Sequence, residues 1–204
     1  MRIKAVVFDY GQVISLPPDP QELDRITRRV GVEREKFEPL FWSLRDKFDR
    51  GTVTAREYYK DILSHLDVSM DEEGIDEIIA MDLASWRNIN PGTACLMEEV
   101  KSAGYVLGIL SNMPKEFLVW AKENLPVFSL PDTALFSCEL NLLKPEEAIY
   151  RKLLSMLNLE GKEIVFFDDK PENIEGARAL GIEAFLWESP ENARKTLASL
   201  EVKL

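Results

Sequence analysis

The chain has one histidine, two cysteines and a shortage of positive charge: 25 Lys and Arg stand against 36 Asp and Glu, a formal charge of -11 over 204 residues. A lone histidine excludes multi-histidine metal centres and speaks against a histidine general base. His65, in Leu63-Ser64-His65-Leu66, reads instead as a helix-end residue. Cys95 and Cys138 lie in apolar contexts, so they are expected as two reduced, mostly buried thiols of a cytoplasmic protein. The acidic balance speaks against nucleic acid and anionic membranes as partners, because either would approach an already negative body. No run is long and apolar enough to span a bilayer. The apolar start is broken by Asp9 with no small-residue cleavage site after it, so it is not expected to be a secretory signal. Internal repeats and low-complexity tracts are absent too.

What remains is ordinary globular composition, and a length that suits one large domain or a domain with a modest insertion. The first apolar run, Ala5-Val6-Val7-Phe8, ends in Asp9, with Gly11 two places on. A buried strand ending in a carboxylate at a tight turn puts that acid at the C-terminal edge of a sheet, where open α/β folds bind ligands. Taken alone, Asp9 would read as no more than a turn cap. Leu16-Pro17-Pro18-Asp19-Pro20 then leads the chain out of the strand.

From residue 21 to about 87 the apolar spacing becomes helical. Leu23, Ile26 and Val30 share one face, Phe37, Phe41, Leu44 and Phe48 another, and Ile75, Ile78, Ile79 and Leu83 a third. Thr54-Ala55-Arg56-Glu57 has the form of a capping box. The spacing predicts an all-helical insertion of about four helices over residues 15–87, packed on itself. Beyond Asn90-Pro91-Gly92, short apolar runs at 105–110, 133–137, 163–167 and 182–187 alternate with helical stretches. This predicts an α/β fold: a Rossmann-like parallel-sheet core of residues 1–14 and 88–204, interrupted by the helical insertion.

In such a sheet Asp9, Ser111-Asn112, Lys144 and Asp168-Asp169 all fall at one edge, at strand ends or in the loops that follow. Three carboxylates around one point make an oxygen-only ligand set suited to Mg²⁺. A hydroxyl and an amide at Ser111-Asn112 can donate to phosphoryl oxygens, and Lys144 can neutralise their charge. Singly, Ser111 could be a helix cap, Lys144 a surface lysine and Asp168-Asp169 a solvated helix entry. Their joint arrival at one edge carries the reading.

Phe8-Asp9-Tyr10-Gly11-Gln12-Val13, Leu110-Ser111-Asn112, Lys144-Pro145 and Phe166-Phe167-Asp168-Asp169 through Asn173 resemble, in order, the four motifs of the haloacid-dehalogenase-like hydrolase superfamily. The helical insertion matches the position and type of that superfamily's C1 cap. The resemblance extends to the branch of sugar-phosphate phosphatases that includes bacterial glucose-1-phosphate phosphatases, with glycine at the third position of the first motif. It implies that Asp9 is a nucleophile forming an aspartyl-phosphate, and that Ser111 and Lys144, with Asn112 beside them, hold the phosphoryl group. It also implies that Asp169, Asp9 and the Gly11 carbonyl bind Mg²⁺. Asp168 would be a second ligand or a supporting acid, and Asn173 would close the loop.

Most phosphatases of the superfamily carry an aspartate at the position of Gly11, which protonates the leaving group and later activates water. Glycine offers only its carbonyl. A slow reaction, a good leaving group such as an anomeric oxygen, or an acid from elsewhere would each answer this, with Asp46, Asp49 and Arg50 the insertion's candidates. The expected function is a Mg²⁺-dependent phosphomonoester hydrolase acting on a small phosphorylated metabolite, a sugar phosphate. The alternatives are a 2-haloacid dehalogenase, in which the same aspartate attacks carbon without metal, and a catalytically weak phosphate-binding protein of the same fold. Most of the insertion's aromatics, among them Phe41, Trp42, Phe48, Tyr58, Tyr59 and Trp86, read as helix packing rather than a sugar platform. Oligomeric state is not legible in the sequence.

Overall fold

Four consecutive apolar residues, Ala5–Phe8, form β1, the middle strand of a five-stranded sheet in this computed structural model, which describes residues 2–204. The other strands are β2 (Val106–Ser111), β3 (Thr133–Phe136), β4 (Ile164–Asp168) and β5 (Glu183–Leu186). They lie in the order β3-β2-β1-β4-β5 and every pairing is parallel. Strand side chains alternate between faces, and here both faces are covered. Val6, Phe8, Ile109, Val165 and Phe167 join one apolar cluster, whereas Ala5, Val7, Leu110, Ile164 and Phe166 join another.

The first cluster is closed by helices α6 (Pro91–Ser102), α7 (Lys115–Asn124) and α11 (Pro190–Ser199), the second by α9 (Glu147–Leu157) and α10 (Pro171–Arg178). A single turn, α8 (Ser137–Leu140), follows β3. This three-layer α/β sandwich is the fold class expected from the alternation of strand and helix.

Five helices stand between the turn after β1 and α6: α1 (Pro20–Val30), α2 (Arg34–Ser43), α3 (Arg45–Asp49), α4 (Ala55–His65) and α5 (Glu72–Ser85). Their count exceeds the expected four because Leu44 separates α2 from α3 without leaving the right-handed region, so the apolar spacing runs straight through the break. They bury a third cluster of their own, centred on Ile26, Phe37, Phe48, Tyr59, Ile62 and Ile78. The capping box is present: Thr54 Oγ1 accepts from Glu57 N–H and the Glu57 carboxylate accepts from Thr54 N–H. The two chain crossings lie side by side, with Leu16 N–H donating to Asn88 O at 2.7 Å and Asn90 N–H to Ile14 O at 2.9 Å. Among the described residues no helix is long and apolar enough to cross a membrane.

Both cysteines are free, but only Cys138 is buried. The expectation of two buried thiols fails at Cys95, which sits on the outer face of α6 with its Sγ 3.3 Å from Glu99 Oε1. Apolar neighbours in sequence point to other faces of a helix, so they do not bury the residue between them.

The helical unit also touches the sheet layer through the end of α3. Ser137 Oγ donates to Asp49 O, and Gly51 sits so close to α8 that a Cβ there would meet Cys138 O at 2.8 Å. Gly51 has φ +75, where a side chain is strained in any case. Gly31 has φ +80 but open space around it. Gly31→Ala is therefore expected to lose about 1 kcal/mol from backbone strain alone. Gly51→Ala should lose a further 1–3 kcal/mol or so from overpacking against backbone that cannot yield. Urea unfolding of the two variants beside the parent measures the difference.

Candidate active site

The register of the sheet assembles the site. Phe8 lies beside Ile109 on β2 and Phe167 on β4, so the next residues, Asp9, Leu110 and Asp168, share one level at the C-terminal edge. Asp9 N–H donates to Phe167 O at 2.9 Å, the last rung before the chain turns. Residues Tyr10–Ile14 then make one wide turn, with Gln12 at φ 58 and Ser15 N–H closing on Tyr10 O at 2.8 Å. The turn keeps Gly11 and Gln12 at the mouth of the edge, where Gln12 Nε2 donates to Asp169 Oδ2 at 2.8 Å.

Lys144 comes in from the loop between α8 and α9 and is buried. Its Nζ lies 2.8 Å from Asp9 Oδ1 and 2.6 Å from Asp168 Oδ2, and donates to Leu110 O at 2.9 Å. Three donors thus meet three acceptors, the geometry a buried ammonium requires. The loop is clasped from β2: Asn112 Oδ1 accepts from Lys144 N–H at 2.9 Å and Asn112 Nδ2 donates to Lys144 O at 3.0 Å. Both ends of the Asn112 amide are therefore engaged with backbone. Ser111 ends β2 beside it, buried.

Asp168 is fully buried, and its second oxygen accepts from Lys170 N–H at 2.9 Å and Asn173 Nδ2 at 2.8 Å. Asp9, Asp168 and Asp169 each offer a carboxylate oxygen, all within 4.8 Å of one another. An oxygen-only donor set of three acids, with the Gly11 carbonyl in the adjoining turn, fits a small hard cation. Burial pushes the Asp9 carboxyl up to about 6, with Lys144 pulling it down and Asp168 pushing it further up. Asp169 is raised too, by burial and then by Asp168. Burial opposes the charge on Lys144, but Asp168 and Asp9 outweigh it and hold the amine above its ordinary value.

A cleft opens over this edge. Asp9, Gly11, Asn112, Lys144 and Asp169 line its floor, and Trp42, Arg45, Asp49 and Trp86 line the side formed by the helical unit. Of the insertion's three expected candidates, only Asp49 reaches the cleft. Asp46 is exposed on α3, and the Arg50 guanidinium pairs with Glu146 and donates to Asn141 O at 3.0 Å.

Arg45 and Asp82 were not singled out in the sequence, yet they shape that side. Arg45 Nε donates to Asp49 Oδ1 at 2.9 Å and Nη1 to Asp82 Oδ2 at 3.1 Å, with the guanidinium about 5 Å over the rings of Phe41 and Phe48. The Arg45-Asp49 spacing of four on one helix was the available signal. Asp82, 37 residues away in sequence, had none.

The aromatics divide. Phe41, Phe48, Tyr58 and Tyr59 pack in the helical core, as read, whereas Trp42 and Trp86 line the cleft. Burial of two carboxylates around one ammonium sets an expected cost for removing it. Lys144→Met should lose about 3–5 kcal/mol at neutral pH, because Asp9 and Asp168 are then left buried without their cation. Chemical denaturation of the metal-free variant against the parent measures this.

Phosphatase MT3486 of Mycobacterium tuberculosis is 26% identical to this chain over 193 residues, covering 91% of it and 88% of the relative. (S)-2-haloacid dehalogenase 4A of Burkholderia cepacia is 25% identical over 192 residues, covering 88% of this chain and 80% of the relative. In structure the chain is similar to a haloacid-dehalogenase-family enzyme of Bacteroides thetaiotaomicron solved in complex with magnesium and inorganic phosphate. The TM-score is 0.74 at 23% identity, over 92% of this chain and 95% of that one. At that identity the likeness speaks for the fold, and the fold agrees with the strand order and edge described above. Residues 3–181, which hold every strand end at the cleft, match the haloacid dehalogenase-like hydrolase family, and the chain belongs to it.

Proposed function

We propose that this hydrolase is a Mg²⁺-dependent phosphomonoesterase acting on a small phosphorylated metabolite, with a sugar phosphate as its substrate class. The observation that carries the reading is the convergence of Asp9, Asp168 and Asp169 within 4.8 Å, with the Lys144 ammonium 2.8 Å from Asp9. A carboxylate nucleophile, a fixed positive charge and an oxygen-only cation site are the parts that phosphoryl transfer to an aspartate needs.

In this reading Asp9 attacks phosphorus and carries the phosphoryl group as an aspartyl-phosphate. Lys144, held by Asp168 and Leu110 O, fixes the orientation of Asp9 and offsets charge on the transferred oxygens. Ser111 and the neighbourhood of Asn112 receive the phosphoryl oxygens, while the Asn112 side chain keeps the Lys144 loop in place. Asp9, Asp169 and the Gly11 carbonyl would hold Mg²⁺, with Asp168 as a further ligand or as the residue that positions Lys144. The ion would neutralise negative charge on the phosphoryl oxygens as the ester bond breaks.

Residues 15–87 act as a cap over the edge and choose the leaving group. Trp42, a large exposed aromatic beside Asp49, Arg45 and Gln12, suits a sugar: the ring's apolar face stacks on the indole while its hydroxyls meet polar groups. The similarity to a haloacid dehalogenase keeps a second reading in play, in which Asp9 displaces halide from carbon. That chemistry has no use for the paired acids at 168 and 169.

Phosphate release from p-nitrophenyl phosphate and a panel of sugar phosphates, with Mg²⁺ or with chelator, decides between them. The expected outcome is Mg²⁺-dependent turnover that disappears in Asp9→Asn. Halide release from 2-haloacids that is indifferent to chelator would replace the proposal.

Protons and the cation compete for the same carboxylates, and two of these, Asp9 at about 6 and Asp169, hold protons more tightly than usual. Mg²⁺ binding should therefore weaken as pH falls through 6, and the rise in Tm on adding Mg²⁺ should be larger at about pH 7.5 than at about pH 5.5. An equal rise at both would remove Asp9 and Asp169 from the ligand set.

A further inference from the structure

If Asp9 attacks phosphorus, the departing oxygen needs a proton, and the turn after β1 does not supply one. Gly11 has no side chain, and a Cβ there would rest in ordinary van der Waals contact with Trp86 Cζ3 at 3.5 Å. The sole histidine, His65, lies exposed at the end of α4 and does not line the cleft. The Tyr10 hydroxyl donates to Trp86 O at 2.6 Å, and burial raises it well above the usual phenol range. Guanidinium and amino groups are generally too basic to give up and recover a proton in each turnover near neutral pH.

Among the described residues that line the cleft, three are carboxylic acids: Asp9, Asp169 and Asp49. Asp9 is the attacking group, and Asp169 accepts from Gln12 in the acid cluster. Asp49 remains. It ends α3 on the opposite wall, its backbone carbonyl tied to Ser137 Oγ and its Oδ1 held by Arg45 Nε at 2.9 Å. Resting on the phosphatase reading of this cleft, we infer that the Asp49 carboxyl is the general acid and base that replaces the one missing at Gly11.

The exchange balances. In the first step an Asp9 oxygen bonds to phosphorus, the bond from phosphorus to the leaving oxygen breaks, and that oxygen takes the Asp49 proton, leaving alcohol, aspartyl-phosphate and the Asp49 carboxylate. In the second the Asp49 carboxylate takes one proton from a water whose oxygen bonds to phosphorus. Phosphate leaves, Asp9 is restored as carboxylate and Asp49 as acid.

The surroundings suit both forms. Burial raises the Asp49 carboxyl, the Arg45 guanidinium lowers it, and Asp82 and Lys170 act in opposite senses from further off. The acid is thus favoured by burial, and its conjugate base is met by a fixed cation. Arg45 in turn is held by Asp82 from α5, so the cation stays in place whichever form Asp49 takes.

The test compares leaving groups. p-Nitrophenolate departs without a proton, whereas an alkoxide does not. Asp49→Asn should lower kcat/KM for an alkyl phosphate such as glycerol phosphate by about 10²–10³-fold, and that for p-nitrophenyl phosphate by less than about tenfold. Asp49→Glu should recover part of the alkyl phosphate activity. Asp46→Asn, one turn earlier on the exposed face of α3, should match the parent on both.

An equal loss on the two esters would show that Asp49 only positions Arg45, and no loss on either would exclude it altogether. If Asp49→Asn melts below the assay temperature, the selectivity of Asp49→Glu between the two esters decides, since a merely structural role moves both together. A parent that turns over neither ester would remove the phosphatase reading and this inference with it, whereas a parent active on both with Asp9→Asn dead isolates the question to Asp49.

Discussion

Lys144 carries one positive charge into a volume that already holds two negative ones, and the geometry of the sheet edge follows from that. A buried carboxylate is costly unless a cation and hydrogen bonds meet it. Asp9 and Asp168 share the one ammonium at 2.8 and 2.6 Å, and Asp168 takes two further donors, Lys170 N–H and Asn173 Nδ2. The loop carrying Lys144 cannot move without leaving these acids uncompensated. The amide clasp from Asn112 closes the same circuit from the backbone side. Four segments far apart in sequence are thereby held to one another by a small set of polar contacts, and the apolar layers on either side keep water away from most of them.

The opposite wall repeats the pattern, one cation shared by two carboxylates. Arg45 is a buried guanidinium between two acids, Asp49 and Asp82, over aromatic rings. Here one cation orients one carboxylate toward the cleft and is itself anchored by the other. The two charge groups face each other across the cleft, one carried by the sheet edge and one by the helical unit. Their alignment depends on how the end of α3 meets α8, through Ser137 and the tight approach at Gly51. A helix only five residues long needs such external ties, since its own hydrogen bonds hold little.

The sheet was legible because its strands are buried on both faces and appear as short apolar runs between turn residues, and the acids stand out because each ends such a run. Asp9, Ser111, Lys144 and the acids at 168 and 169 follow from position alone once the sheet is parallel. What the sequence could not show is where tertiary contact replaces periodicity. Asn112 lines the cleft as a candidate phosphoryl donor, but its amide also clasps the Lys144 backbone, a contact that no local spacing announces. Trp42 and Trp86 carry the same apolar signal as Phe41 and Tyr58, and only the packing of the helices against one another sorts cleft from core. Asp82 belongs with Arg45 through a contact between helices that no local spacing announces. Cys95 is exposed despite its apolar neighbours in sequence, because an apolar neighbourhood along the chain is not an apolar neighbourhood around a helix.

The acidic total of the chain argues against polyanionic partners, yet the proposed substrate is itself an anion. The floor of the cleft reproduces this tension locally: Asp9 and Asp169 line it with Asp168 buried next to them, against Lys144 and Lys170, so the acids outnumber the amines where a phosphoryl group would sit. A bare phosphate ester would be repelled from such a place. The same excess of negative charge is what attracts a divalent cation, and a cation reverses the balance at short range while leaving the surface of the molecule acidic. Net charge and site charge are separate quantities here. Screening over about 8–10 Å of salt solution hides most of the distant acids from the cleft, so the groups within contact distance decide what binds. On that count the acid cluster and the phosphate reading require each other: the carboxylates make sense as cation ligands, and an anionic substrate makes sense only with the cation they would hold.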